Sequence, residues 1–417
     1  MAAPAVPRSV LLIVSGSIAA FKVPELIRLL KADGIQVRCV LTQGGSQFVT
    51  PLTLQALSGQ PVHTDLFSLT TEQEMGHIAL SRSADLLLVC PASANLLARM
   101  AGGLADDLAS TVLLATDTPV MVAPGMNVRM WDHPATQANI KTLKERGVTF
   151  LGPVSGEMAC GEYGPGRMVE PADVLDAVLG FFRQQVRQTG PLAGKACLVT
   201  AGPTHEPLDP VRYLANRSSG KQGYALAEAL ADLGAEVTLI SGPTGLRPPA
   251  GVTVSFSETA CEMQDLTLDT ARSKAFDLAI CTAAVADWRP AYVQDQKIKK
   301  KVGKDDVPPP LALLPNPDIL AELSAPSSFR PQLVVGFAAE TETVEAHARA
   351  KLARKGCDWI VANHVGAGSG VMGGSENQVI LMTQDTAEHW PRLSKEDVAR
   401  RLAITLADWF SKRHKSL

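Results

Sequence analysis

The chain has 417 residues, of which 46% are hydrophobic and 19% are charged, and its formal net charge is -3. This length exceeds one ordinary core and predicts two or three domains, while the apolar share excludes a globally disordered chain. The lack of a basic excess argues against a nucleic-acid partner but leaves small anionic ligands open.

Cysteine spacing and apolar runs indicate the compartment. Seven cysteines occur without a CxxC pair, which disfavours both a disulfide framework and a zinc cluster. No apolar run approaches the ~18 residues of a transmembrane helix, so no membrane association is expected. We therefore predict a cytoplasmic protein.

The first predicted elements form a βαβ unit. Residues 9–15 (SVLLIVS) read as a buried parallel strand that Gly16 ends. An amphipathic helix then runs from Val23 to a stop at Gly34, and IQVRCVL returns as a strand. In such a unit the ligand lies at the carboxyl ends of the strands.

The pattern recurs along the chain. Strand-and-loop segments follow at residues 86–100 and 119–127, and a Gly- and Pro-containing stretch, 183–194, reads as a connector. A second βαβ unit opens with KACLVTAGPT, and further strands are predicted at 277–284 and 332–340. The fold class is therefore α/β, with two doubly wound, Rossmann-like domains that we place at residues 1–190 and 191–417.

Small and hydroxyl-bearing residues follow several strands of the first half. The stretch SGSIAAFK and the loop PASAN would meet at one sheet edge, where hydroxyls and backbone amides suit a phosphate. A tight turn without a ligand is an equal alternative for SGSIAAFK alone. The predicted mononucleotide pocket contains Gly16, Ser17, Ile18, Thr42, Ser93 and Asn95.

Three further residues of the first half are candidates for chemistry. His77 precedes a predicted helix and has a pKa near working pH, although a lone histidine is more often structural. Asn127 follows a strand, where its amide can hold a carboxylate or simply end a turn. Residues 155–168 have no core periodicity and predict a flexible lid, on which Cys160 is an exposed thiol. Cys90, inside an apolar strand, is expected to be inert.

SGSIAAFK, EMGHI, PASAN, APGMN and ACGEYGPGRM, taken in this order, resemble the FMN-dependent phosphopantothenoylcysteine decarboxylases. The resemblance implies a flavodoxin-like flavoprotein in which FMN oxidises the substrate's cysteinyl thiol, carbon dioxide leaves, and the electrons are then returned. It implies that His77 assists the early steps, Asn127 binds the substrate carboxylate, and Cys160 protonates the enethiol intermediate.

In the second half, residues 201–223 (AGPTHEPLDPVRYLANRSSGKQG) place basic, hydroxyl and amide groups between a strand and a helix. Anion binding is the natural inference, and a polar surface loop is the alternative. Asp287, after a strand, suits a base, a metal or a helix cap. Lys297 suits a triphosphate, although most charge runs are only solvated, and Lys351 and Lys355 share one helix face.

This half resembles phosphopantothenate-cysteine ligase through the 201–223 loop, AAVADWRP, KIKK, NPDIL and VGFAAET. The resemblance implies a CTP-dependent enzyme with Mg2+ that forms an acyl-cytidylate from 4'-phosphopantothenate and then transfers the acyl group to cysteine. It places Asn216 at the activated acyl group, Arg212 in the same substrate loop, and Lys297 among the catalytic groups. The implied nucleotide positions are Asp287, Pro317, Asp318, Ile319, Leu320, Phe337, Lys351 and Lys355.

One departure from the family pattern is Pro315, where relatives often carry a basic residue before the NPD motif. The resemblance also implies trimer contacts in the first half and dimer contacts in the second, hence a homo-oligomer, a dodecamer. Alternatives for the first half are a flavoprotein decarboxylase of peptide cysteines, a flavin prenyltransferase, or a non-catalytic regulatory flavoprotein. The fused ligase half opposes these alternatives, because it makes the decarboxylase's own substrate.

Overall fold

The computed structural model describes residues 8–65, 77–158, 161–298, 310–365, 374 and 376–414. The chain folds into two compact units, residues 1–182 and 183–417. The predicted α/β class is confirmed in both units, since each is built on a largely parallel sheet with helices on both faces. Among the described helices, none has the length and apolar character needed to cross a membrane.

Unit 1 contains a six-stranded sheet in the order β3-β2-β1-β4-β5-β6, in which every strand pair is parallel. Its strands are β1 (Ser9–Val14), β2 (Gln36–Leu41), β3 (Val62–His63), β4 (Leu86–Ala92), β5 (Val120–Pro124) and β6 (Thr149–Phe150), and a separate hairpin joins β7 (Val154–Glu157) to β8 (Tyr163–Arg167). Its helices are α1 (Val23–Ala32), α2 (Pro51–Ser58), α3 (His77–Ser81), α4 (Ala94–Gly102), α5 (Leu108–Leu114), α6 (Val128–Asp132), α7 (Pro134–Glu145) and α8 (Pro171–Thr189), of which α8 continues beyond residue 182; 3-10 turns lie at Ile18–Lys22 and Gly45–Gln47.

Both faces of this sheet are buried, as the continuous apolar strands predict. In β1, Leu12 belongs to the layer that α1 and α8 cover, whereas Leu11 and Ile13 belong to the opposite layer. Burial on both sides leaves only the strand ends open, so functional loops must lie at the edges of the sheet.

One expectation was wrong: residues 183–189, read as part of a connector, continue helix α8 to Thr189.

The 155–168 segment, predicted to be a flexible lid without core periodicity, contains the antiparallel hairpin β7–β8. Its glycines pack closely: Gly166 has φ 131°, and a Cβ there would lie 2.5 Å from the Met126 carbonyl oxygen. Because glycine is rare in strands, this hairpin has the composition of a loop.

Unit 2 contains an eight-stranded sheet in the order β13-β12-β9-β14-β17-β18-β20-β21, which is parallel from β13 to β18 and antiparallel beyond. Its strands are β9 (Ala196–Ala201), β10 (His205–Pro207), β11 (Tyr213–Ala215), β12 (Glu236–Ser241), β13 (Thr253–Phe256), β14 (Leu278–Cys281), β15 (Trp288–Pro290), β16 (Leu313–Pro315), β17 (Leu333–Glu340), β18 (Trp359–His364), β19 (Glu376–Asn377), β20 (Val379–Met382), β21 (Ala387–His389) and β22 (Leu393–Ser394). Its further helices are α9 (Lys221–Ala231), α10 (Ala260–Ser273), α11 (Ile319–Ser324), α12 (Val344–Lys355) and α13 (Lys395–His414).

The predicted second βαβ unit is confirmed as β9, α9 and β12. The long loop between β9 and α9 is not irregular throughout, because β10 and β11 pair as a short antiparallel hairpin. Close packing fixes where α9 begins: a Cβ on Gly223 would lie 2.4 Å from both the Ala201 Cβ and the Thr282 Oγ1. The start of α9 is therefore held against the ends of β9 and β14.

Candidate functional site

In unit 1, the strand order reverses between β1 and β4, which is where open α/β sheets bind ligands. The buried Ser15 hydroxyl joins the loops that follow these two strands. Its Oγ donates to the Pro91 carbonyl (2.7 Å) and accepts from the Ser93 backbone N–H (2.8 Å). The two predicted phosphate loops are therefore one bonded structure.

The loop after β2 lies beside the same turn. A Cβ on Gly16 would be 3.1 Å from the backbone of Gly44, so the two loops approach closely here and a larger residue would require a small shift of the Gly44 backbone. The Thr42 Oγ1 accepts from the Gly45 N–H at 3.0 Å, and the Ser17 Oγ caps the 3-10 turn through the Ala19 N–H at 3.3 Å. The structure brings the predicted pocket residues to one sheet edge; these are Gly16, Ser17, Ile18, Thr42, Ser93 and Asn95.

Asn127 lies after β5 and caps helix α6. Its Oδ1 accepts from the Met130 N–H at 2.9 Å, and its Nδ2 donates to the Glu162 carboxylate at 2.9 Å. The amide is thus oriented by one bond at each end. His77 is the first residue of α3, and Cys160 lies outside the described residues.

The described cysteines are all free thiols. Cys90 is fully buried, as predicted, and burial raises its pKa to about 12. Burial likewise raises the pKa of Cys39 to about 12. These two thiols remain protonated at neutral pH and are poor nucleophiles or proton donors.

In unit 2, a cleft of about 700 Å³ lies at the carboxyl ends of β9 and β14, where the strand order reverses. Residues from many separate parts of the chain line it. They include predicted positions Asn216, Asp287, Pro317, Asp318, Ile319, Leu320, Phe337, Lys351 and Lys355. The sheet topology therefore assembles one site from residues far apart in the sequence, from Thr200 to Lys395.

Two amides shape the wall that follows β14. The Asn216 Nδ2 donates to the Val285 carbonyl at 2.8 Å, and the Asn316 Nδ2 donates to the Ala286 carbonyl at 2.8 Å. The Asn316 N–H also donates to the Asp287 carbonyl at 2.9 Å. The AAVAD loop is thus held between the substrate loop and the NPD segment.

Two lysines of α12 form the cationic wall. The Lys351 Nζ donates to the Phe337 carbonyl at 3.0 Å, and burial lowers the pKa of Lys351. Lys355 forms an ion pair with the Asp318 Oδ2, while the other oxygen of Asp318 caps α11 through the Ala321 N–H at 3.1 Å. Both lysines face one cleft, as their spacing predicts.

A positively charged side chain, that of Arg289, lies beside Pro315. The Arg289 Nη1 donates to the Pro315 carbonyl at 2.6 Å and to the Asn316 Oδ1 at 3.2 Å. A guanidinium group from the neighbouring strand β15 therefore contacts the segment that holds Pro315.

Two predicted residues are not among those that line the described cleft. Arg212 turns its guanidinium to the Ile298 carbonyl, with Nη2 to oxygen at 3.0 Å. Lys297, the residue before Ile298, has an exposed side chain. Arg212 therefore belongs to a contact between the 201–223 loop and Ile298, the residue that follows Lys297.

Sequence reasoning missed part of the opposite wall. Lys395, the first residue of α13, lines the cleft although it is only 6% exposed, and its carbonyl accepts from the Gln222 Nε2 at 3.1 Å. Burial lowers its pKa, and the nearby charge of Lys221 lowers it further. Asn363 and Asn377 also line this side and bond to each other at 3.2 Å. No spacing or motif marks these residues in the sequence.

Comparison with known proteins agrees with this division. The flavoprotein family profile matches residues 4–183, and the profile of the DNA/pantothenate metabolism flavoprotein C-terminal domain (DFP) matches residues 192–409. "Coenzyme A biosynthesis bifunctional protein CoaBC" of Vibrio vulnificus strain YJ016 is 46% identical over 388 residues, covering 93% of this chain and 92% of that protein. The proteins of the same name from Escherichia coli K12 and Bacillus subtilis 168 are 42% and 43% identical, with 98% and 96% of this chain and 98% and 97% of those proteins covered.

The two folds and their sites define a bifunctional enzyme in which a flavoprotein unit precedes a DFP unit. The chain belongs to the family of the coenzyme A biosynthesis bifunctional proteins CoaBC. It is accordingly an enzyme of coenzyme A biosynthesis with a decarboxylase and a ligase activity. Because these relatives span both halves, they lend no support to a prenyltransferase, a regulatory flavoprotein or a decarboxylase of other substrates.

Proposed function

We propose that residues 191–417 join cysteine to 4'-phosphopantothenate with CTP, and that residues 1–190 then decarboxylate the product with FMN. The observation that carries the proposal is the cleft of unit 2, because the positions inferred for the nucleotide line one cavity despite their separation in sequence. Activation of a carboxylate at a triphosphate needs such a converging set of cations and amides.

The ligase reaction has two balanced steps. In the first, the carboxylate of phosphopantothenate attacks the α-phosphate of CTP, and pyrophosphate leaves. In the second, the amine of cysteine attacks the acyl carbon, CMP leaves, and the amine loses a proton. We assign Lys351 and Lys355 to the anionic nucleotide and Asn216 to the acyl group. Mg2+ would bind the phosphate oxygens of CTP.

The loops of unit 1 fit the phosphate end of FMN. Their donor set consists of hydroxyls and backbone amides, and no acidic side chain stands among the six predicted residues. Ser17 and the amides that follow β1 would hold the phosphate, with Thr42, Ser93 and Asn95 beside them. When bound, FMN supplies the redox chemistry of the decarboxylation, taking two electrons from the substrate and returning them.

The other groups of unit 1 bind substrate and move protons. We assign the amide of Asn127, which is oriented by its bonds to Met130 and Glu162, to the substrate carboxylate. We assign Cys160 to protonation of the enethiol carbon and His77 to the earlier steps. With no net change in redox state, the product is 4'-phosphopantetheine and carbon dioxide.

Two measurements on the full-length protein test these assignments separately. Purified protein should be yellow, with the visible absorption of oxidised FMN; a colourless protein that cannot be loaded with FMN would overturn the decarboxylase assignment. Incubation with CTP, Mg2+ and phosphopantothenate, without cysteine, should yield an acyl-cytidylate by mass spectrometry. Pyrophosphate release without that species would contradict the ligase mechanism.

The remaining proposals concern assembly and location. We propose a homo-oligomer, a dodecamer built from trimer and dimer contacts, in the cytoplasm. Light scattering of the full chain measures its mass directly, and a monomer would contradict the proposal. Each domain should also be active when residues 1–190 and 191–417 are expressed separately, because a cut at 190 leaves helix α8 intact.

A further inference from the structure

The tip of the β10–β11 hairpin is bonded to the segment that carries Lys297. The Leu208 carbonyl accepts from the Gln294 N–H at 3.0 Å. The Asp209 Oδ2 accepts from the Ile298 N–H at 3.1 Å, and the Arg212 Nη2 donates to the Ile298 carbonyl at 3.0 Å. Both peptide groups of Ile298, the residue after Lys297, are therefore held by the substrate loop.

Asp209 is the centre of this contact. Its side chain is fully buried, and its Oδ1 also accepts from the Val211 N–H (2.8 Å) and the Arg212 N–H (2.9 Å). Burial would raise the pKa of Asp209, but the hydrogen bonds from the backbone N–H groups of Ile298, Val211 and Arg212 lower it. The carboxylate therefore stays charged and accepts from three N–H groups at once.

A residue that only stabilised the hairpin turn would need its two local bonds alone. Asp209 makes these and also bonds Ile298, which lies 89 positions along the chain. The side chain of Lys297 is exposed. The bonds to Ile298, the next residue, restrain Lys297 through its backbone. Displacing a reacting or stabilising group by about 1 Å can cost about 100-fold in rate, which makes such a restraint consequential.

We infer that Asp209 is a positioning residue of the ligase reaction: with Arg212, it fixes the peptide next to Lys297 and so sets where that ammonium group lies. This inference rests on the proposed role of Lys297 in the ligase. It also assigns Arg212 a different task from direct anion binding, because its guanidinium is engaged by Ile298 and lies 3.8 Å from Asp209.

A double-mutant cycle on the full-length protein tests the inference. The variants are Asp209→Asn, Lys297→Gln and the combination, with Asp295→Asn as a matched loss of a carboxylate in the same segment. Asp209→Asn replaces one accepting oxygen by an NH2 group, so one set of backbone bonds is lost. Ligase kcat and the KM for CTP are measured, and decarboxylation of supplied phosphopantothenoylcysteine is followed in the same preparation.

Asp209→Asn should lower ligase kcat about ten- to 100-fold with little change in the KM for CTP, while Asp295→Asn and the decarboxylase keep wild-type rates. In the Lys297→Gln background, Asp209→Asn should have no further effect, because coupled residues are non-additive. Multiplicative losses, or a wild-type rate for Asp209→Asn, would overturn the positioning role. A wild-type rate for Lys297→Gln would instead refute the proposed role of Lys297.

A second variant tests the inference if Asp209→Asn fails to fold. Arg212→Gln removes the donor to the Ile298 carbonyl but leaves the buried carboxylate in place. It should give a smaller decrease in kcat with the same non-additivity toward Lys297→Gln. Thermal unfolding of each variant shows whether unit 2 is folded, and an additive Arg212→Gln variant that folds normally would contradict the inference.

Discussion

The sheets of the two units reverse strand order in the same way, between β1 and β4 and between β9 and β14, yet the loops at these points differ in charge. In unit 1 the loops are neutral, and a buried hydroxyl, Ser15, bonds them to one another. In unit 2 the cleft is lined by lysines and aspartates from distant segments. The same backbone frame thus presents neutral hydrogen-bonding groups in one unit and charged side chains in the other.

The largest expected effect tests the chemistry of unit 1. Cys160→Ser should lower decarboxylation about 100-fold or more, the size of effect typical for a lost general acid, and should leave FMN bound and ligation unchanged. Phosphopantetheine output and visible absorption are measured, with Cys261→Ser, a thiol in α10, as the control. Unchanged output would remove Cys160 from the mechanism.

The next effect concerns the charged cleft. Lys355→Met should raise the KM for CTP about 10- to 100-fold, because it removes a charged hydrogen-bond donor worth about 1.5–3 kcal/mol and leaves Asp318 without its cation. Steady-state ligation at varied CTP measures this. Arg354→Met, one residue earlier on an exposed face, should be near wild type; equal effects of the two variants would argue for general charge rather than a defined contact.

A smaller effect is expected on stability, and its sign differs between the two units. Gly223→Ala should destabilise unit 2 by about 1–3 kcal/mol, because the added Cβ would overlap Ala201 and Thr282. Gly180→Ala, also within a helix but with open space around it, should stabilise unit 1 by about 0.5–1 kcal/mol. Both changes in stability are measured from the urea concentrations at which the ligase and decarboxylase activities are lost. A Gly223→Ala variant as stable as wild type would mean that α9 can shift away from the sheet.

The smallest expected effect tests the neutral loops. Ser15→Ala should cost unit 1 about 1 kcal/mol and increase FMN dissociation, since the Ser93 N–H loses its acceptor. Absorbance of free flavin after dilution reports the loss. Ser46→Ala removes a half-buried hydroxyl that bonds the Gln43 carbonyl and should retain FMN; equal retention in both variants would show that the Ser15 bridge does not hold the pocket.

Much of the fold follows from local pattern, because buried parallel strands such as Ser9–Val14 are continuous apolar runs ended by glycine. The hairpin at 154–167 was missed because its close contacts require glycines, which read as a loop. The helical extension to Thr189 was missed because residues 183–189 carry few apolar side chains.

For the sites, motifs predicted residues on the strand-end loops, where Asn216 and Asp318 lie. They did not predict Lys395, which enters the cleft from the start of the last helix through long-range packing. Nor did they predict that Arg212 bonds the backbone carbonyl of Ile298. A basic residue in a polar loop is typical of an anion-binding site, and the sequence does not show which carbonyl lies nearby.

Lys355 is paired with the carboxylate of Asp318 inside the cleft. If the cleft binds CTP as proposed, the incoming phosphates would replace one anion at Lys355 by another, and the ammonium group would not be left unpaired. When the nucleotide leaves, the carboxylate of Asp318, held by its cap on α11, would pair with the ammonium group again. A counter-ion of this kind would limit how tightly the products are held.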